Sequence, residues 1–524
     1  MDFFDKVKLL EKISNENIIS SGLRGLEKES LRITSKGEIA QTQHPQEWGS
    51  PLTHPYITTD YSESLPELIT PPKNRTKDVL RFLQDLHLFI NEKNDADELL
   101  WCTSMPCAVF GDHDIPIARY GNSNAGLMRH IYRVGLDFRY GRKMQAIAGV
   151  HFNYSLPAKF WEPFSGLSKN TRHKNLREIK DDSYFSMIRN YLRLSWVIPL
   201  LFGSSPVVCK SFITGKTSRF KKMYKGTYFL PNGTSLRMSD IGYKNKNQSA
   251  LKISYNSLKS YVQSLQTAIK TPYPEYEAIG LHVDGNPIQL STNILQIENE
   301  YYSAVRPKRS TLDGKRPTKV LARDGVEYVE MRGLDVDTLN PIGISEDCLM
   351  FCEVFLIACL LEDSPLIDEE ENRAIDYNDQ TIALRGREKG LHLFKGNKNH
   401  SISMHEWLSL IFEKLYAVSN ILDKDSGSKK YHSAIERIQE TARNHDLLPS
   451  AKLLQLLRDS GSEFHYFALE MSKKHTKTLN SLDLTNKMRK HLQDVSQTSR
   501  KEQYDLECAK QIPISEYIEN YLKG

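Results

Sequence analysis

Arg24-Gly25-Leu26-Glu27-Lys28-Glu29 sets two carboxylates two residues apart. On a β-strand alternate side chains share a face, so Glu27 and Glu29 point one way while Leu26 and Lys28 point the other. Two like charges about 4 Å apart repel by roughly 4 kcal/mol at an effective dielectric near 20. Such a pair persists only in water or bridged by cations. An isolated Glu-x-Glu is more often a solvated strand face, and the recurrence of the pattern along this chain changes the reading.

Asp60, Glu63 and Glu67 add more acid soon afterwards. Gly149-Val150-His151-Phe152-Asn153-Tyr154-Ser155 alternates cleanly, with His151 on its polar face; Glu330 and Arg332 share a face of Val326–Arg332. Collected, the strand-borne polar residues are Glu27, Glu29, Asp60, Glu67, His151 and Glu330, joined by Arg237 and Arg332. Oxygen-rich ligation with one imidazole suits Mg²⁺ or Mn²⁺, whereas zinc prefers Cys and His. Several hard cations on an antiparallel sheet imply a bound polyphosphate, and arginines alongside would neutralise charge on a transferring phosphoryl group. Spacing alone therefore supports a Mg²⁺-dependent phosphoryl-transfer enzyme.

Elements must position these groups. Residues 1–20 read as a short amphipathic helix, Ile57–Asp60 and Glu67–Thr70 as two β-rich pieces, and residues 75–93 as an amphipathic helix covering one sheet face. A helix carries Tyr132, Arg133 and Leu136, and residues 184–202 form an aromatic-rich helix. Leu295–Tyr302 is strand-like, while Arg306-Pro307-Lys308-Arg309 reads as a solvated basic loop. From about residue 345 the pattern is helical, and Cys348, Cys352 and Cys359 fall on an apolar helical run as small buried hydrophobes. Gly215-Lys216-Thr217 looks like a phosphate-loop tail, but Lys210 stands where such a loop needs Gly.

Composition bounds the alternatives. A chain of 524 residues with 39% apolar content and mean hydropathy −0.49 reads as a water-soluble protein with room for more than one core. The apolar stretches Trp196–Cys209 and Cys348–Leu361 fall short of the ~20 residues that span a bilayer, so no membrane partner is expected. The start Met1-Asp2-Phe3-Phe4-Asp5-Lys6 lacks a secretory apolar region, which points to the cytoplasm. Seven cysteines lack the density of a disulfide framework. Cys107 and His113 suggest a thiol nucleophile, but no third orienting residue is evident. The net charge of +5 suits anionic small molecules as well as nucleic acid. A nucleic-acid binder using Arg306–Arg309 and the basic C-terminal helices, and a catalytically silent binding protein, are the rival readings.

Arg24–Glu29, Ile57–Asp60, Gly149–Asn153, Leu295–Glu300, Arg306–Arg309 and Glu327–Arg332 together resemble the signature stretches of the bacterial glutamate–cysteine ligase family, strongly over residues 10–375. The resemblance implies an α+β fold related to glutamine synthetase, an antiparallel half-barrel sheet forming an active-site funnel with flanking helices and a mainly helical C-terminal part. It divides the chain into a catalytic region, 1–375, and a helical region, 376–524, packed on it. It implies ATP-dependent ligation of the γ-carboxylate of L-glutamate to the amine of L-cysteine through a γ-glutamyl phosphate, the first step of glutathione biosynthesis. Position by position, it makes Glu27, Glu29, Asp60, Glu67, His151 and Glu330 the Mg²⁺ ligands and Arg332 the phosphate-contacting arginine. Arg237 would hold a substrate carboxylate, with Tyr61, Tyr132, Arg133, Leu136, Gln145, Tyr243 and Tyr302 around the amino acids. Tyr61 departs from the Phe of the best-known members, which implies a more polar thiol pocket. A monomer inhibited by glutathione, binding neither nucleic acid nor membrane, completes the family expectation. A ligase joining glutamate to a different amine is the nearest rival.

Overall fold

The computed structural model describes residues 2–13, 17–94, 97–166, 175–213, 218–242, 251–310, 315–396 and 399–523. Tyr243 and Gly215-Lys216-Thr217 lie outside the described residues.

A fully antiparallel sheet of six strands organises the chain. Its strands are β1 (Leu23–Glu29), β2 (Ile57–Thr59), β3 (Pro66–Ile69), β4 (Gly149–Ser155), β5 (Val305–Lys308) and β6 (Tyr328–Asp335), in the order β5-β6-β4-β1-β3-β2. Alternation sorts the two faces. Leu26, Leu68, Val150, Phe152, Tyr154, Val329 and Met331 are buried on one. That face packs against helix α1 (Thr76–Lys93), whose Val79, Phe82, Leu83, Leu86 and Ile90 recur at helical spacing, and against α3 (Glu346–Leu361). Between them in sequence runs α2 (Asn124–Tyr140), which carries Tyr132, Arg133 and Leu136. Every residue of α3 from Cys348 to Leu361 is buried, as expected of a helix apolar all round. Its one acid in that stretch, Glu353, pairs with Arg24 of β1.

The C-terminal helices return to the sheet. Tyr431 of α4 (Lys430–Arg443) reaches Glu353 at 2.8 Å, and Ser499 of α5 (Asn486–Cys508) accepts from the Ser50 amide at 3.0 Å. One apolar cluster includes both Phe3 and Leu492, and residue 375 lies within the helix Glu369–Arg385.

Several local expectations change, while the thiol nucleophile, for which the sequence offers no orienting residue, stays excluded. The aromatic-rich helix starts at Leu176, stops at Arg193 and resumes as Val197–Phe202. Leu295–Tyr302 contains a 3₁₀ turn at Glu298–Glu300 instead of a strand. Both acids of that turn are drawn inward: Glu298 takes Arg316 and Thr318, and Glu300 takes Arg139 and Tyr140. Arg306–Lys308 is no solvated loop but edge strand β5, with Arg306 buried. Cys107 is bonded to Cys209, their Cα atoms 5.5 Å apart, so it is not a free nucleophile.

Candidate active site

Register builds the site. Glu27 lies opposite His151 across β1 and β4, Glu29 opposite Glu67 across β1 and β3, and Glu330 opposite both Asn153 and Arg306. Because partners in an antiparallel pair project to the same side, these groups form one polar row on the face away from α3. His151 is the hub. Its Nδ1 is 3.2 Å from Glu27 Oε2 and 3.6 Å from Glu330 Oε1, while its Nε2 is 3.6 Å from Glu29 Oε1. Arg332 Nη1 lies 2.9 Å from Glu330 Oε1 and 3.5 Å from His151 Nδ1.

Supporting donors fix the acids. Asn153 Nδ2 donates to Glu27 Oε1 at 2.7 Å, and the Gly149 amide donates to Glu29 Oε2 at 2.6 Å. Gly149 is required for a steric reason, since a Cβ there would stand 2.0 Å from Arg237 Nη2. Arg237 is buried and donates to the Arg332 carbonyl at 2.9 Å, which places its guanidinium beneath the row.

Burial makes this concentration of acid costly. It pushes Glu29 up to about 8, with Asp60 adding to the shift against Arg237 and Arg332. Burial, then Glu27, Asp60 and Glu29, hold Glu67 well above the usual carboxylate range. Burial also opposes ionisation of Glu330, yet Lys308, Arg332 and Arg306 together carry it well below that range. His151 is held below the usual imidazole range by burial and by Arg332, so it is neutral and able to ligate.

A folded-state pKa raised above the unfolded value means that the folded state retains protons the unfolded chain releases. Stability from Glu29 and Glu67 is then fully present below the unfolded carboxylate pKa, about 4.5, and is lost as pH rises through the folded values, about 8 for Glu29 and well above the usual range for Glu67. The metal-free protein is expected to lose thermal stability between pH 5 and 8, and Mg²⁺ to raise the melting temperature more at pH 8 than at pH 6. Melting curves with EDTA and with Mg²⁺ check this; a Mg²⁺ effect independent of pH would remove these acids from the metal site.

The donors fit a hard divalent cation. Glu27, Glu67 and His151 each offer a ligand atom, all within 4.8 Å of one another, and His151 Nε2 is buried with no hydrogen-bond partner. Glu29, Asp60 and Glu330 border the same group, as their mutual influence on the carboxyl charges attests.

The residues that the family resemblance sets around the amino acids fall into two groups. Tyr61 is buried beside the charges of Asp137, Arg142 and Arg133, and Arg133 Nε donates to the Asp60 carbonyl at 2.5 Å while lying over the Tyr120 ring. Tyr302 donates to Gln145 Oε1 at 2.9 Å, with Tyr132 in the field of Tyr302 and Glu300; Leu136 lies one helical turn from Tyr132 and is buried. Asp60 joins this part to the acidic row, acting on both Tyr302 and Glu29.

The sequence reading did not assign Lys308, Arg306 or Asn153 to the site. Lys308 Nζ is 3.5 Å from Glu330 Oε2, and Arg306 faces Glu330 across the strand pair. The signal available was their closeness in sequence to Glu330, once Arg306–Lys308 is recognised as a strand.

The glutamate–cysteine ligase family model matches residues 7–382. A glutamate–cysteine ligase of Hahella chejuensis is 43% identical over 501 residues, 95% of each chain. One of Azotobacter vinelandii is 42% identical over 506 residues, 96% of this chain and 95% of that one. The crystal structure of a Francisella tularensis glutamate–cysteine ligase in complex with AMP aligns with a TM-score of 0.89 at 35% identity, covering 96% of this chain and 98% of that one. The chain therefore belongs to the glutamate–cysteine ligase family.

Proposed function

We propose that the chain joins the γ-carboxylate of L-glutamate to the amine of L-cysteine at the expense of ATP, giving γ-glutamylcysteine, ADP and phosphate. The observation that carries the reading is the polar row itself: three potential ligands, Glu27, Glu67 and His151, beside the phosphate-suited cations Arg332 and Lys308. In the first step a γ-carboxylate oxygen of glutamate attacks the γ-phosphorus of ATP, and the bond to ADP breaks. Arg332 and Lys308 offset charge on the equatorial oxygens as that bond loosens. The cysteine amine then attacks the acyl carbon of the γ-glutamyl phosphate, phosphate leaves, and the amine loses a proton. Glu27, Glu67 and His151, with Glu29, Asp60 and Glu330 around them, would hold Mg²⁺, which would supply charge neutralisation to the nucleotide phosphates; Mn²⁺ suits the same donors.

Tyr61, Tyr132, Arg133, Leu136, Gln145, Tyr243 and Tyr302 enclose the amino acids, with Arg237 serving the substrate carboxylate. The protein acts as a cytoplasmic monomer and is inhibited by glutathione; no described helix is long and apolar enough to cross a membrane.

The test is ADP release with ATP, Mg²⁺ and glutamate, with and without cysteine, alongside mass detection of γ-glutamylcysteine. Cysteine-dependent release with that product is expected, and turnover with another amine alone would overturn the substrate assignment. Glu27→Gln is expected to raise the Mg²⁺ concentration for half-maximal rate by about tenfold or more, by analogy with lost metal-site contacts. An unchanged metal titration would remove Glu27 from the ligands.

A further inference from the structure

Behind β1, on the opposite face of the sheet from the acids, Lys28 is buried where a buried cation ordinarily has a carboxylate partner. Its ammonium makes one hydrogen bond, to Ser30 Oγ at 2.5 Å, leaving two of three donors for other use. The group borders a cavity of about 20 Å³ lined also by His87, Asn91, Cys102, Asn340 and His475. No Asp or Glu lines it among the described residues. His87 is 2% exposed, and its Nε2 is buried with no hydrogen-bond partner. Burial, then the neighbouring Lys28 and His475, hold His87 well below the usual imidazole range; His475 Nε2 lies 2.9 Å from the Thr338 carbonyl. Gly343, with φ of +77°, keeps the wall open, since a Cβ there would stand 2.9 Å from Lys28 Cε.

A buried lysine amine with two donors free and a buried imidazole nitrogen without a partner, both lining a space for one water-sized occupant, call for a small acceptor toward which His87 would present its Nε2–H tautomer. We propose that this cavity is a halide-sized anion site, occupied by chloride and held by Lys28 Nζ and His87 Nε2. The anion fastens β1 from behind, directly opposite Glu27 and Glu29, and so stabilises the fold apart from any nucleotide or metal binding. The assignment does not depend on the ligase reading.

Crystals grown in sodium bromide test it by anomalous scattering, together with melting temperatures when chloride replaces gluconate at constant ionic strength. The expected result is a bromide peak within hydrogen-bond distance of Lys28 Nζ and His87 Nε2. The full-length protein should gain about 1–2 °C per tenfold rise in chloride above the dissociation constant, and Lys28→Met should gain nothing. Should Lys28→Met not fold, His87→Leu carries the same comparison. Water alone at the site would overturn the proposal. So would a bromide peak with equal chloride responses in both proteins, which marks an adventitious ion only.

Discussion

Arg332→Ala is expected to lower kcat by about 10³-fold or more while the protein stays folded, by analogy with arginines that stabilise a transferring phosphoryl group. The geometry makes the prediction specific. Arg332 projects from the polar face of β6 with its side chain 17% exposed, so its removal opens little of the core. Its Nη1 bonds Glu330 Oε1 at 2.9 Å, and Glu330 keeps Lys308 Nζ at 3.5 Å when that bond is gone. The acid is thus not left as an uncompensated buried charge, which separates a catalytic loss from unfolding. Charge that develops on the phosphoryl oxygens is met best by groups already fixed in place, so the effect belongs in kcat more than in the KM for ATP. Arg332→Lys should recover part of the rate, since it restores charge without the planar fork. Steady-state kinetics with circular dichroism as the folding control check the set. Normal kcat in folded Arg332→Ala would refute the role.

How much of this was legible in the sequence follows from where the forces act. Strand β4 declares itself because Val150, Phe152 and Tyr154 must all meet one apolar layer, which leaves His151 on the other face. Glu27 and Glu29 are readable for the same reason, and so is α1. Edge strand β5 was not, because Arg306, Pro307 and Lys308 lack the apolar alternation of a covered strand. At a sheet edge a proline's missing N–H need cost no ladder bond, so pairing with β6 tolerates Pro307. The stretch Leu295–Tyr302 alternates like a strand, but Arg316 and Arg139, outside that stretch, claim Glu298 and Glu300 and fold the chain into a turn. Local periodicity carries no record of such partners. The Tyr302–Gln145 hydrogen bond spans 157 residues and the Cys107–Cys209 bond 102, and the order β5-β6-β4-β1-β3-β2 is likewise a long-range outcome. Family motifs supplied the residue roles that periodicity left open, whereas Lys308 and Asn153 emerged only from the strand register.

The second large effect lies on the apolar side of the sheet. Glu353 is fully buried in α3 and accepts from Arg24 Nε at 2.8 Å, Tyr431 Oη at 2.8 Å and Tyr154 Oη at 3.3 Å, with Arg24 Nη2 also bonded to it. Burial opposes the Arg24 charge, but Glu353 and Tyr431 more than compensate, so the guanidinium stays ionised in the core. Replacing both members of such a pair by apolar groups can be neutral, whereas removing one leaves an uncompensated buried charge. Glu353→Gln keeps the shape and removes only the charge, and it is expected to cost about 3–5 kcal/mol. Tyr431→Phe deletes the hydrogen bond donated to Glu353 and the 3.1 Å one accepted from Arg24 Nη2, but the two charges keep each other, so it should cost about 1.5–3 kcal/mol. The ordering is the informative part: the ion pair ties β1 to α3, while Tyr431 adds α4 to the same knot. Because these groups face away from His151, folded Glu353→Gln should retain most of its activity per molecule. Urea unfolding followed by fluorescence, with kcat measured well below the unfolding midpoint, checks both parts. A cost under about 1 kcal/mol for Glu353→Gln would mean that Arg24 finds another acceptor in the core, and the knot would then contribute far less to the fold than the buried-charge argument requires.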